Sequence, residues 1–192
     1  MSIIDQPRTY KLLEEKLAKT ENPRHRLLLS RVLQHAKGEV QEDLEAVLGT
    51  LAPDAVYRVW SKGPEMNPKG IDNIRDFYVS EIFQKGRHCL EHDMDRVIVA
   101  DDAVVTDGLL KSVMWGRDLA DSGVSVDDVE ACYLMKYRNL ITWPFNEDGY
   151  IMGEESYSAP AKDYITKIRP EDVPDTFKAY LARRKAAELA SA

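Results

Sequence analysis

The stretch HCLEHDMDRVIVADDAVVTDGLLKSVMW (88–115) decides the fold class. Residues 88–100 and 103–115 are rich in β-formers and read as long strands, with Asp101-Asp102 as the turn between them. Strands joined by so short a connection pair antiparallel, because a parallel return needs a crossover of a dozen residues or more. The pattern then repeats. Residues 130–145 read as a third long strand, Asn146-Glu147-Asp148-Gly149 as a hairpin turn with glycine where positive φ is wanted, and 150–157 as the partner strand. Between the two pairs, 116–128 reads as a polar connection.

Upstream of this block the apolar spacing is helical. Residues 7–21 (PRTYKLLEEKLAKTE) form a short amphipathic helix. Asn22-Pro23 is an N-cap followed by proline at the first helical position, and Leu27, Leu28, Val32 and Leu33 come next, with Gly38 marking the end. A further helix carries Leu44, Val47, Leu48 and Leu51 and stops at Pro53. AVYRVWS (55–61) alternates as a strand, 62–69 is a loop, and Gly70 opens a helix with Ile71, Ile74, Phe77, Tyr78 and Ile82 that closes at Gly86. After Pro160 a charged stretch with two prolines precedes a final helix, 176–190. Helices, one strand, a helix, then antiparallel strands by short turns predict an α+β fold with helices covering one face of a curved sheet.

The chain of 192 residues suits one domain with appended helices. Its net charge of -7 argues against nucleic acid and anionic membranes as partners. Cys89 and Cys132 stand in no metal-binding spacing and read as free thiols. The N-terminus lacks the pattern of a signal peptide, and no apolar run approaches the ~20 residues of a membrane helix, so a cytoplasmic location is expected. No glycine-rich dinucleotide fingerprint, P-loop or nucleophile elbow is present, and no cofactor or metal is expected.

Four segments together resemble SnoaL-like domains of the nuclear transport factor 2-like superfamily. EDLEAVLGTLAPDAVYRVW (42–60) resembles their helix-to-first-strand segment, and GIDNIRDFYVSEIF (70–83) their second major helix. DRVIVADDAVVTDG (95–108) resembles the central hairpin, and ITWPFNEDGYIMGEESY (141–157) the final one. The resemblance implies a cone: a strongly bent, mostly antiparallel sheet wrapped by helices, with a ligand pocket at its open end. It divides the chain into an N-terminal helix (1–22), the SnoaL-like domain (23–160) and a C-terminal helical extension (161–192). It also implies a homodimer or homotrimer.

Strand phase nominates the candidate residues. Simple alternation puts His88, Leu90, His92, Met94 and Arg96 on one face, although Val97 and Val99 fall on the opposite phase, which a bulge would reconcile. His88 and His92 would bring groups that titrate near neutral pH, unless they are solvated or structural. Asp107 shares its phase with Val105, Leu109 and Val113; burial there would raise its pKa and make it an acid or base, unless it pairs with Lys111 or sits at a bulge before Gly108. Tyr57 is placed to hold a substrate oxygen and Trp60 to line the mouth, while Tyr78, Tyr133 and Tyr137 suit an aromatic wall; core packing is the alternative for each. In some enzymes of the family the first helix presents a tyrosine and an aspartate to the pocket. By that spacing the tyrosine position falls on His35 and the aspartate near Val40, beside Glu39, so this chain departs from the dehydratase pattern.

The resemblance implies a cofactor-independent lyase, of dehydratase or carbon–carbon-cleaving type, acting on a small hydroxylated aromatic compound. Asp107, His92, Tyr57 and His35 are the expected catalytic groups, and His88, Trp60, Tyr78, Lys111, Tyr133 and Tyr137 the expected substrate contacts. An isomerase or cyclase, or a binding or dimerisation module that catalyses nothing, is the competing expectation.

Overall fold

The computed structural model describes residues 3–60 and 67–191. Its helices are α1 (Arg8–Ala18), α2 (Pro23–Val40), α3 (Leu44–Leu48), α4 (Ile71–Phe77), α5 (Gly116–Asp121) and α6 (Asp175–Ser191). Its strands are β1 (Arg58–Val59), β2 (Leu90–Val99), β3 (Ala103–Trp115), β4 (Cys132–Pro144) and β5 (Glu155–Lys167). They form one sheet in the order β1-β5-β4-β3-β2, antiparallel except for the short parallel pairing of β1 with β5. The predicted α+β architecture, a curled sheet wrapped by helices, is the observed one.

The register of β2 is broken once, between Met94 and Arg96. Before the break, Leu90, His92 and Met94 face inward; after it, Val97 and Val99 do, so one extra residue keeps the apolar side chains on the buried face. That inner face carries Val104 and Thr106 of β3 with Ile141 and Trp143 of β4. Leu28, Leu29 and Val32 of α2, Val47 and Leu48 of α3 and Ile74 of α4 pack onto it. Burying a side chain of this size stabilises by about 1.5–3 kcal/mol, so the inner core fixes the register. The free edge of β2 is covered by α1: the His92 backbone N–H donates to Thr9 Oγ1 at 3.2 Å. At the other end, α6 lays Phe177 and Tyr180 over Val113, Trp115 and Cys132 on the outer face.

Several elements differ from expectation. α2 runs through Gly38 to Val40; a Cβ at Gly38 would stand 3.0 Å from Val47 Cγ2, so glycine serves the close approach of α3 rather than the end of the helix. β1 shrinks to two residues, and Ser61 lies outside the described residues. The connection 116–128 contains α5, whose Asp118 is buried and held by Arg184 Nη1 at 2.6 and 2.7 Å. β5 starts late, at Glu155, and runs past Pro160, where the register jumps: Tyr137 faces Pro160 and Met135 faces Ile165. Proline has no N–H to give a ladder and is tolerated at such an irregularity. After α4 the helix loosens into a π-helical turn, Tyr78–Phe83.

Gly153 sets the position of Glu154. Its φ is +150°, and a Cβ there would sit 1.9 Å from the Val56 carbonyl oxygen. The chain can therefore press against Val56, and the Arg58 N–H reaches the Glu154 carbonyl at 2.6 Å. Gly153→Ala is expected to destabilise the fold by about 3 kcal/mol, the range for backbone strain plus a clash. Urea unfolding measures it, and a loss below about 1 kcal/mol would contradict the account.

Candidate active site

One polar cluster interrupts the inner core. His35 comes from the buried side of α2, Thr50 from just past α3, Tyr57 from just before β1, Tyr78 from the π-helical turn and Glu154 from just before β5. Hydrogen-bond accounting fixes the histidine tautomer. The Thr50 hydroxyl donates to the Val47 carbonyl at 2.6 Å, so its oxygen accepts from His35 Nδ1 at 2.8 Å. His35 Nε2 is then the atom free to exchange a proton. It lies 2.8 Å from Tyr78 Oη, 3.1 Å from Glu154 Oε1 and 3.4 Å from Tyr57 Oη. Tyr78 Oη is itself 3.2 Å from both Tyr57 Oη and Glu154 Oε1. Trp143 backs the imidazole edge-on at 5.2 Å and is anchored by its Nε1–H to Thr106 Oγ1 at 3.0 Å.

The electrostatics assign roles. Burial, with the charge of Glu154 added, pushes both the Tyr57 and Tyr78 phenols well above 10, so both remain hydrogen-bond donors. Glu39 lies four residues after His35 on α2. Burial first and Glu154 second push its carboxyl from 4.5 to about 8, which keeps it protonated at neutral pH. A carboxyl held protonated at neutral pH can serve as an acid. His35, Tyr57 and Tyr78 are buried, whereas Glu39 is half-buried and the Glu154 side chain keeps 17% exposure. Glu39 and Glu154 are therefore the two of these groups that solvent reaches. Tyr137 is half-buried on the same face; burial pushes its phenol up to about 12 against the pull of the Arg87 charge, and its ring meets Tyr164 at 6.5 Å.

The structure thus brings His35, Tyr57 and Tyr78 together and keeps Tyr137 on their face of the sheet. The other expected residues stand elsewhere. Asp107 points to the outer face, where Arg138 Nη2 at 2.6 Å and Arg96 Nε at 3.0 Å hold it. The Arg138 hydrogen bond outweighs burial and keeps its carboxyl below the usual range, the reverse of the expected rise. Lys111 shares that outer face and binds Glu91 at 2.7 Å rather than Asp107. His92 does face inward, but burial holds it neutral, down to about 4, and Nε2 sits 3.3 Å from the Asn139 carbonyl; it is not poised near pH 7. His88 lies between Phe83 and Tyr180 with Nε2 3.7 Å from Glu42. Burial, against the pull of Glu42, lowers its pKa. Trp60 is 55% exposed and stacks on Tyr157 on the outer face. Tyr133 is tied to Asp127 and Asp128 and packs on Leu119.

Glu154, Thr50 and Arg87 carry roles that the strand phases did not reveal. Glu39 was detectable, since His35 and Glu39 share a helix face at i and i+4. Glu154 carried a weaker sign, an acidic residue directly after a glycine in an apolar strand. Among the described residues, no three His, Cys, Asp or Glu side chains converge as metal ligands, and no helix is long and apolar enough to cross a membrane.

No protein-family model matches the sequence, and no curated protein matches it. Solved structures do. A protein classed as a SnoaL-like polyketide cyclase from Jannaschia sp. CCS1 superposes with a TM-score of 0.56 at 15% identity, over 73% of this chain and 90% of that one. A Mycobacterium tuberculosis protein in complex with estradiol-17beta-hemisuccinate gives 0.51 at 16% identity, over 73% and 98%. TerC co-crystallised with polyporic acid gives 0.51 at 15%, over 69% and 92%. The chain has the SnoaL-like, nuclear transport factor 2-like fold. At these identities the likeness extends to the fold; the chemistry rests on the cluster itself.

Proposed function

We propose that this SnoaL-like chain is a cofactor-independent proton-transfer enzyme for a small hydroxylated carbonyl compound. Two phenol donors and a carboxylate, each within 3.4 Å of the Nε2 of an imidazole of fixed tautomer, carry the reading. The substrate carbonyl oxygen accepts from Tyr57 and Tyr78, which replace their mutual hydrogen bonds with bonds to the developing enolate oxygen. Glu154, 3.1 Å from His35 Nε2, takes a proton from the neighbouring carbon. Glu39, protonated at neutral pH, gives its proton to the departing hydroxyl, and water leaves. That outcome is a dehydratase-type lyase. If the enolate is reprotonated at another carbon, or attacks a second carbonyl of the same molecule, the same groups give an isomerase or a cyclase. The cyclase outcome is the one that the description of the Jannaschia relative supports.

The test is solvent exchange. β-Hydroxyketones of one and two aromatic rings are incubated with the protein in D₂O without added cofactor. Deuterium at the carbon next to the carbonyl is followed by NMR, and the enone by its ultraviolet band. Exchange is expected in the wild type and its loss in Tyr78→Phe, whereas Asp107→Asn leaves it unchanged. A compound that raises the melting temperature but neither exchanges nor reacts would instead make the protein a small-molecule binder, and the Mycobacterium protein has been solved in complex with an estradiol ester.

A further inference from the structure

Arg87 is one of two arginines, with Arg31, whose Nε is buried without a hydrogen-bond partner among the described residues. It comes just after the π-helical turn, and its backbone N–H closes that turn on the Ile82 carbonyl at 2.8 Å. Its side chain is only 26% exposed, and its nearest carboxylate is Glu81, 3.8 Å from Nη1. Glu81 is already bound through both oxygens by Lys85, at 2.7 and 2.8 Å. Arg87 Nε is buried and has no hydrogen-bond partner among the described residues. A buried N–H without an acceptor costs about 1–3 kcal/mol, and a guanidinium is built to be met by a planar, two-oxygen anion.

Arg87 also bears on the inner face of the sheet. The Gln6 amide bridges the Val40 and His88 carbonyls at 3.0 Å each, tying the turn that carries Glu39 to the residue beside Arg87. Tyr137, on the inner face, feels the charge of Arg87. Among the described residues its charge is met by Glu81 at 3.8 Å, which Lys85 shares, and Tyr137, protonated at pH 7, adds no negative charge.

We propose that Arg87 recognises an anion in the site and that the substrate is therefore a small molecule bearing a carboxylate. This rests on the proton-transfer reading for the location of the reacting carbonyl, with the carboxylate held by the Arg87 fork and the carbonyl directed to Tyr57 and Tyr78. A carboxylate fits better than a phosphate dianion, because one guanidinium supplies one charge and two parallel donors.

The experiment compares each of benzoate, 4-hydroxybenzoate and 6-hydroxy-2-naphthoate with its primary carboxamide at pH 7, by thermal shift and calorimetry. In the wild type at least one acid is expected to bind ten-fold or more tighter than its amide. Arg87→Met should erase that preference while amide binding persists, and Arg87→Lys should retain only part of it, since charge without the fork remains. Glu154→Gln should keep the preference. The proposal is overturned if no acid binds, if amides bind as tightly as acids, or if Arg87→Met keeps the preference. Acid binding through Arg87, together with no deuterium exchange in any of the β-hydroxyketones, would refute the catalytic reading and leave this one standing.

Discussion

Glu154→Gln is expected to lower turnover by about 10²–10⁴-fold, the range that a positioned general base contributes. The amide keeps the size of the side chain and can still accept from Tyr78, now 3.2 Å from Glu154 Oε1, so the cluster should stay folded. What it loses is the ability to take a proton. The substitution also acts on a second group. Glu154 is the charge that helps raise Glu39, so its removal lowers the Glu39 pKa from about 8, although burial, the larger cause, remains. Activity that requires protonated Glu39 falls as pH rises through that value, and in the residual activity of Glu154→Gln the fall begins at lower pH. A pH–rate profile of both proteins reads the two effects together. A variant that keeps its rate to within about three-fold would remove Glu154 from the chemistry.

The second large effect is on stability. The folded Glu39 carboxyl titrates at about 8 against an ordinary 4.5, so between those values the folded state holds a proton that the unfolded chain has released. Stability therefore declines as pH rises from 4.5 to 8 and levels off above. His92 acts in the opposite sense. Burial lowers it from 6.5 to about 4, so stability is lost as pH falls through that interval, when the unfolded chain gains a proton that the folded one refuses. Below 6.5 His88, also lowered by burial, adds to His92, so the two histidines together offset Glu39 or more; from 6.5 to 8 Glu39 acts alone. Stability is expected to peak near pH 6.5, then to decline by on the order of 2 kcal/mol up to pH 8. Glu39→Gln removes the decline and makes the variant more stable than the wild type at pH 8.5. Chemical unfolding from pH 5 to 9 checks it; parallel pH profiles for the two proteins would mean that Glu39 is not held protonated.

Much of the fold was legible in the sequence because it depends on patterns that repeat. The 88–115 pair of strands announced an antiparallel sheet, and even the β2 bulge showed as a clash of phases between His92 and Val97. The site was less legible because its residues come from five separate segments, and period-two alternation names a face without saying which face is covered. Asp107 illustrates this. It lies on an outer face that carries apolar residues as well, and its partners Arg96 and Arg138 come from the two neighbouring strands, so only the register shows the pairing. Glu154 depended on a close backbone contact at Gly153, and Thr50 on a hydrogen bond to a residue three positions back. His35 came from family spacing rather than from its own neighbours.

The π-helical turn Tyr78–Phe83 connects the reactive half of the cone to Arg87. In an α-helix each residue advances the chain by about 100°, so a turn that holds one residue more sets the phase of everything after it. The segment between that turn and Arg87 is held from outside by α6: Tyr180 Oη donates to the Gln84 carbonyl at 3.0 Å, and a Cβ at Gly86 would stand 2.6 Å from the Tyr180 ring. A residue added to the turn would have to be absorbed against that helix, so the C-terminal helix and the turn constrain the guanidinium together.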